Sequence, residues 1–244
     1  VQVVIEISKL SLYSVFHGNL NYSSISPKIY DKIIDSCYWP ILDLIKNYKF
    51  KSGIEFPLNT ILQIEKIDPL FLEELKKLVN KNKLEIICSG KEQVVFPLVP
   101  NDVNKVNLQI GKEEFEKIFD TKIKTAFVNE QLFSSSLAQL YKESGFQNII
   151  TIWEWASKIS ILDNKDKFKP KFISTNTGNL NVIWNSYISY QKFQRYVNGE
   201  IERKEYFDYI LKNKIKNLSC YPFYGSDMEI FGYKNPVLGL EGTG

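Results

Sequence analysis

One histidine, two arginines and three cysteines are the scarce side chains of this 244-residue chain, and each scarcity removes a kind of chemistry. Zinc catalysis usually draws on two or three histidine ligands, and His17 alone cannot supply them. Serine or cysteine acyl transfer needs an imidazole base tied to its nucleophile, and no motif ties one to His17. Cys37, Cys88 and Cys220 are odd in number and widely spaced, and no CxxC pair occurs, which excludes a zinc ribbon or a thioredoxin-type site. Cys88 and Cys220 fall in apolar strand-like runs, where a buried reduced thiol is expected; that suits a reducing, cytoplasmic compartment. No apolar run reaches the ~18 residues of a membrane span, and the N-terminus lacks a signal-peptide pattern, so no membrane partner is expected. Neither a GxGxxG after a strand nor a GxxxxGK[ST] is present, which removes the nucleotide-binding versions of a doubly wound sheet.

Charge is also without a focus. The 31 basic and 28 acidic residues are interspersed, with a formal net charge of +3 and no basic stripe or tail, so no nucleic-acid partner is expected. Only Arg195 and Arg203 are arginine; with alanine scarce and Ile, Asn and Lys abundant, this reads as base bias, and most lysines carry no functional meaning.

What is present is apolar and aromatic. A hydrophobic share of 44%, with 14% aromatic, can build a sizeable core, and residues 1–244 read as one domain. Short β-like runs alternate with helical patterns. Strands are expected at 12–17, 52–56, 84–88, 123–128, 148–153, 180–184 and 218–223. Helices are expected from Ser26-Pro27, interrupted near Pro40 and resuming through Tyr48, then from Asp68-Pro69 to about Asn80 with Leu72, Leu75 and Val79 inward. Further helices are expected over 102–119, with Val103, Val106, Ile110 and Phe115 on one face, over 134–144 closed by Gly145, and over 187–197 and 204–214. The polar stretch from about Ser157 to Gly178 reads as an excursion. Repeated β-then-α units imply a parallel sheet, and the seven expected strands imply an α/β fold: a seven-stranded (β/α) barrel, distorted or incomplete relative to the TIM type.

In such barrels functional side chains emerge at the C-terminal strand ends. Those ends carry His17-Gly18-Asn19, Glu55, Glu92-Gln93, Asn129-Glu130, Glu154 and Gly225 to Glu229. Carboxylates dominate, and glycoside hydrolysis needs only two carboxyl groups and no cofactor or metal. Any one of these acids could equally cap a helix or pair with a lysine. Trp153 and Trp155 flank Glu154 on alternate faces, one able to stack on substrate and the other to pack in the core. Arg195 suits a bidentate carboxylate or anionic-sugar contact as well as an ordinary helix surface.

The runs Cys37-Tyr38-Trp39-Pro40, LEIICSG over 84–90, PLVP over 97–100, FVNEQLFSSSL over 127–137 and SDMEIFG over 226–232 resemble the family-57 glycoside hydrolases. That family holds α-amylase-like enzymes, glucanotransferases, branching enzymes and α-galactosidases, which act with retention on a seven-stranded glycoside hydrolase/deacetylase-like barrel. The resemblance implies Glu130 as nucleophile, Asp227 as general acid/base, and an α-linked oligo- or polysaccharide as substrate. It further implies that His17, Asn19, Glu92, Gln93 and Glu229 bind that substrate, to which the residue pattern adds Trp153 as the stacking face. The chain departs from the family where a second histidine becomes Asn19, where a sugar-binding glutamate becomes Gln93, and where the nucleophile motif's tryptophan becomes Phe127. A helical region that most members carry after the barrel has no counterpart before Gly244. Two other readings stand beside the enzyme: a non-catalytic carbohydrate-binding or regulatory domain, and a polysaccharide deacetylase-like enzyme, which needs an Asp-His-His metal site.

Overall fold

A computed structural model describes residues 11–22, 25–48, 52–159, 167–213 and 220–233. Eight strands form one sheet: β1 (Ser11–His17), β2 (Ser52–Phe56), β3 (Leu84–Cys88), β4 (Thr125–Phe127), β5 (Asn148–Ile152), β6 (Lys171–Thr175), β7 (Gly178–Asn185) and β8 (Cys220–Asp227). Their order is β6-β7-β5-β4-β3-β2-β1-β8, and all are parallel except β6, which is antiparallel to β7. The seven parallel strands are those expected from the sequence, although the start of the last one, before Cys220, lies outside the described residues. They curl into an incomplete barrel whose ends, β7 and β8, come near each other without sharing a ladder among the described residues. Part of the expected excursion forms the β6–β7 hairpin. β6 alternates between half-buried and exposed positions, which suits an edge strand and left no apolar run to read.

Nine helices are described: α1 (Tyr30–Ile33), α2 (Trp39–Asn47), α3 (Leu58–Ile67), α4 (Pro69–Asn80), α5 (Asn101–Phe119), α6 (Ser135–Glu143), α7 (Trp153–Ile159), α8 (Tyr187–Val197) and α9 (Arg203–Asn213). Asp68 caps α4 as its sequence suggests, accepting from the Phe71 N–H at 3.1 Å. The interruption expected at Pro40 is instead one π-helical turn over Ile34–Tyr38, which passes directly into α2. Its wider hydrogen bonding comes just before the proline, which has no N–H to donate.

Alternation along the strands divides the core. Val15, Ile87, Phe127 and Ile150 form a cluster inside the barrel, while Phe16, Ile54, Phe56, Ile86 and Ile149 join the larger core under the helices. Gly53 makes room for the inner cluster, since a Cβ there would meet Ile87 Cδ1 at 2.5 Å.

The phase expected for α5 is wrong. Val103, Val106 and Ile110 are exposed, and the buried face is Asn104, Asn107, Leu108, Gly111, Phe115 and Phe119. Buried amides with partners decide the phase. Asn104 Nδ2 donates to the Phe96 and Val99 carbonyls at 2.9 and 3.0 Å. Asn107 Oδ1 accepts from the Glu92 N–H at 2.8 Å and its Nδ2 donates to the Glu92 carbonyl at 3.0 Å. This clamp needs close approach: a Cβ on Gly111 would lie 2.4 Å from the Gly90 carbonyl carbon. We expect Gly111→Val to lower unfolding free energy by about 1–3 kcal/mol through overpacking. Val106→Ala should change it by less than ~0.5 kcal/mol. Urea denaturation of both variants checks the assigned face, which fails if the order is reversed.

Candidate active site

A cleft of about 810 Å³ opens at the C-terminal ends of the strands, and His17, Asn19, Gln93, Glu130, Asp227 and Glu229 all line it. His17 ends β1. Its Nδ1 is bonded to Glu55 Oε2, and Glu55 is fully buried opposite it on β2. The imidazole also stacks on Phe127, with ring centroids 6.0 Å apart and an interplanar angle of 15°. Burial opposes a positive charge on His17, but the Glu55 carboxylate outweighs it and raises the imidazole to about 10, with Asp227 and Glu229 adding to the effect.

On the other flank of His17, β8 carries a bulge. Val15 pairs with Tyr224, yet His17 pairs with Asp227, so one extra residue of β8 is accommodated at the strand end. Ser226 in that step has φ +74°. Asp227 is half-buried and accepts from the Tyr190 hydroxyl of α8 at 3.3 Å. Burial raises its proton affinity and Glu55 adds to this, while the charge on His17 and the Tyr190 bond pull it down; the net direction is upward. The side chains of residues 220–225, the aromatic run before it, lie outside the described residues. Glu229 is buried and accepts from the Tyr38 hydroxyl at 2.5 Å and from the Asn19 N–H at 2.8 Å; burial likewise raises its proton affinity.

Glu130 is different. It sits in the short turn Asn129–Gln131 after β4, is exposed, and has φ +51° next to Gln131 at +54°. Two successive non-glycine residues in the left-handed region are strained, and such strain concentrates at functional sites. The Glu130 carboxylate accepts from Gln93 Nε2 at 3.0 Å, and Gln93 Oε1 accepts from Asn19 Nδ2.

Two residues expected to bind substrate lie elsewhere. Glu92 accepts from Asn59 and has its backbone clamped by Asn107, so its side chain turns away from the cleft while Gln93 turns in. Trp153, 2% exposed, opens α7 packed edge-on against Trp184 at 5.3 Å and is a core residue; Trp155, two residues further along α7, lines the cleft and is 50% exposed. Glu154 caps α8, accepting from the Ser186 hydroxyl and the Tyr187 N–H at 2.6 and 3.0 Å. Arg195 pairs with nearby Glu200 on the surface. Cys37 and Cys88 are buried free thiols, raised by burial to about 11 and about 12; the Cys220 side chain lies outside the described residues.

Sequence reasoning missed Glu55 as the partner of His17, as well as Tyr38 and Tyr190, because nothing in the spacing of a helical tyrosine shows which acid it will reach. It also missed Asn185 and Gln131. Both are buried in the cleft lining, and Asn185 Nδ2 and Gln131 Oε1 have no hydrogen-bond partner among the described residues. No group of three or more His, Cys, Asp or Glu side chains is arranged to hold a metal among the described residues.

The proton affinities have a testable sign. His17, Asp227 and Glu229 are all raised in the folded state, so each favours folding where it is protonated and loses that contribution as pH rises. For His17 the loss spans the interval from its ordinary 6.5 to about 10. We expect the denaturation midpoint to fall steadily over that interval. The single imidazole should still be protonated at pH 8 by NMR, and titration near pH 6.5 would contradict the pairing.

The sequence from residue 12 to residue 216 matches the family model described as glycosyl hydrolase family 57. An α-amylase of Pyrococcus furiosus is 24% identical over 124 residues, which cover 50% of this chain and 19% of that protein. A 4-alpha-glucanotransferase of Thermococcus litoralis is 20% identical over 124 residues, covering 50% and 18%. This chain thus spans less than a fifth of the length of these curated relatives. The crystal structure of the Thermococcus litoralis 4-alpha-glucanotransferase superposes with a TM-score of 0.77 at 16% identity, over 93% of this chain and 35% of that one. A polysaccharide deacetylase structure from Mycobacterium smegmatis superposes with a TM-score of 0.62 at 11% identity, over 95% and 82%. With the family model covering most of its length, the chain belongs to glycosyl hydrolase family 57.

Proposed function

We propose that the chain is the catalytic barrel of a retaining glycoside hydrolase or transglycosylase acting on an α-linked oligo- or polysaccharide, with Glu130 as nucleophile and Asp227 as general acid/base. One observation carries this reading: a single cleft holds an exposed carboxylate on strained backbone and a desolvated acid whose proton affinity is raised. Those are the environments the two roles need. In the first step Glu130 attacks the anomeric carbon while Asp227 protonates the departing glycosidic oxygen. In the second, Asp227 takes a proton from water or an acceptor sugar hydroxyl, which displaces Glu130 and restores the configuration. His17, Asn19, Gln93 and Glu229 contact or orient the sugar at the reacting centre, and Trp155 offers a stacking face at the rim. Residues 1–244 act as one barrel domain in this reading. The buried free thiols of Cys37 and Cys88 support a cytoplasmic setting, and no described helix is long and apolar enough to cross a membrane.

Maltooligosaccharides and aryl α-glycosides are the substrates to try. Glu130→Gln should lower kcat by at least about 10³-fold with the fold intact. Asp227→Asn should cost about 10²–10⁴-fold on natural linkages and much less on aryl glycosides whose leaving group needs no proton. NMR of the first product should show the α configuration, and the two carboxyl groups in a sugar complex should stand about 5–5.5 Å apart. Sugar binding with no turnover by the unaltered protein would instead identify a non-catalytic binding domain.

Turnover should also be indifferent to EDTA, since one histidine cannot furnish an Asp-His-His site. Activity lost to the chelator and restored by a divalent ion would favour the deacetylase-like reading.

A further inference from the structure

Strand ends on both sides of the barrel are joined across the cleft floor by one line of hydrogen bonds. The Tyr38 hydroxyl and the Asn19 backbone N–H both donate to Glu229 Oε1. The Asn19 side chain donates through Nδ2 to Gln93 Oε1, and Gln93 donates through Nε2 to Glu130 Oε1 at 3.0 Å. The line therefore runs from the turn that follows Asp227, through the end of β1 and the loop after β3, to the strained turn after β4.

Its polarity follows from the groups at its root. A side-chain amide has one donor end and one acceptor end, and neighbours that can only donate decide which way it turns. Asn19 Oδ1 accepts from the Asn21 backbone N–H at 3.0 Å, and a backbone N–H has no acceptor capacity. It also accepts from the Thr60 hydroxyl at 3.4 Å, whose oxygen already accepts from the Leu20 N–H at 3.2 Å. The Asn19 carbonyl end is committed to these donors, so its NH2 faces Gln93. Gln93 must then turn its carbonyl to Asn19 and its own NH2 to Glu130. The loop that carries Gln93 has no freedom to compensate, because Asn107 clamps the neighbouring Glu92 backbone and Gly111 lies against Gly90.

We propose that Gln93 is a positioning residue for Glu130, and that Asn19 sets the direction of its amide, so that one carboxylate oxygen is fixed and the other is presented to the anomeric carbon. The inference rests on Glu130 being the nucleophile. It explains why an amide stands at position 93: a carboxylate there could accept from Asn19 but would have nothing to donate to Glu130 and would repel it. It also ties Asn19 and Gln93 into a single device, since neither orients Glu130 without the other. Of the other charged groups of the cleft, His17, Asp227 and Glu229 stand on the β1–β8 side with Glu55, Tyr190 and Tyr38 as side-chain partners; Glu229 also accepts from the Asn19 backbone N–H, and Tyr22 and Tyr187 line the cleft as well.

The test uses Gln93→Glu and Asn19→Asp, with thermal melting to confirm that each folds. Gln93→Glu should lower kcat by about 10²-fold, the cost of misplacing a reacting group. It should move the acid limb of the kcat/KM profile to higher pH and leave KM within about threefold. Asn19→Asp should change kcat in the same direction although residue 19 does not touch Glu130, because Gln93 must then reverse and present its carbonyl to the carboxylate. Combining Asn19→Asp with Gln93→Leu should cost less than the sum of the two separate effects, because both act on kcat through the same amide. Wild-type kcat and pH profile in both single variants, or a rise in KM alone, would overturn the relay and leave Gln93 a simple sugar contact. A second readout needs no turnover: the Gln93 side-chain amide resonance should titrate in the wild-type protein and stop doing so in Glu130→Gln. Its indifference to pH in the wild type would also overturn the relay. An active Glu130→Gln variant would remove the nucleophile assignment, while the amide titration would still decide whether the relay exists.

Discussion

The charge of His17 is the condition on which the cleft floor depends. Three carboxyl groups, from Glu55, Asp227 and Glu229, surround this one imidazole at the strand ends, where water is largely excluded. Carboxylates so placed would repel one another and forfeit hydration, a cost that only a paired and hydrogen-bonded counter-charge offsets. Register supplies that pairing: Asp227, His17 and Glu55 stand abreast on β8, β1 and β2. Glu55 is fully buried and its Oε1 has no hydrogen-bond partner among the described residues, so the bond from its other oxygen to His17 is what keeps the acid inside. The consequence is that His17, Asp227 and Glu229 each bear on the charge of the others.

Glu229 ties this floor to the helical layer. Tyr38 reaches its carboxylate from the π turn, and Gly232 lies so close to that turn that a Cβ would meet the Ser36 carbonyl oxygen at 2.6 Å. The Cys37 thiol sits 3.6 Å from the Glu229 carbonyl oxygen in the same contact. The irregular turn thus has a packing consequence: it brings the segment after β8 and a tyrosine hydroxyl to one place, and the barrel mouth is anchored from behind. Without it, a helix running straight into Pro40 would carry Tyr38 on a different face.

How much of this was legible in the sequence depends on which force decided each feature. The parallel strands were legible where they hold short buried apolar runs, as in Ile86-Ile87-Cys88 and Ile149-Ile150, and α4 was legible, because Asp68 and Pro69 mark its start as local chemistry does. The phase of α5 was not. Val103, Val106 and Ile110 face solvent because Asn104 and Asn107 find carbonyl partners inside and Gly111 permits close approach, and amide partners are not visible in a periodicity. The strand-end acids were legible as a set but not in their roles. Glu154 became a helix cap, Glu92 a loop brace and Glu55 the histidine's partner, leaving Glu130, Asp227 and Glu229 in the cleft. Trp153 and Trp155 divided between core and cleft because, two residues apart on α7, they point to nearly opposite sides of the helix, and the alternation expected of them did not say which went where.

The two acids that matter most to the proposed reaction share a deeper reason for being hard to read: each is placed by a departure from regular backbone. β4 is only three residues long, and Glu130 lies beyond it in a turn with two successive positive φ values, so its direction is set by the strained turn and not by the pleat. On the opposite flank, an unbroken ladder from Val15 and Tyr224 would bring Ser226 level with His17. The bulge, with Ser226 at φ +74°, brings Asp227 there instead. One irregularity exposes an acid and the other draws an acid against a buried cation and a tyrosine hydroxyl. The difference between the two carboxyl groups is therefore a property of backbone geometry more than of residue type. A residue inserted into or deleted from either turn would exchange or abolish their environments while leaving both acids in the sequence.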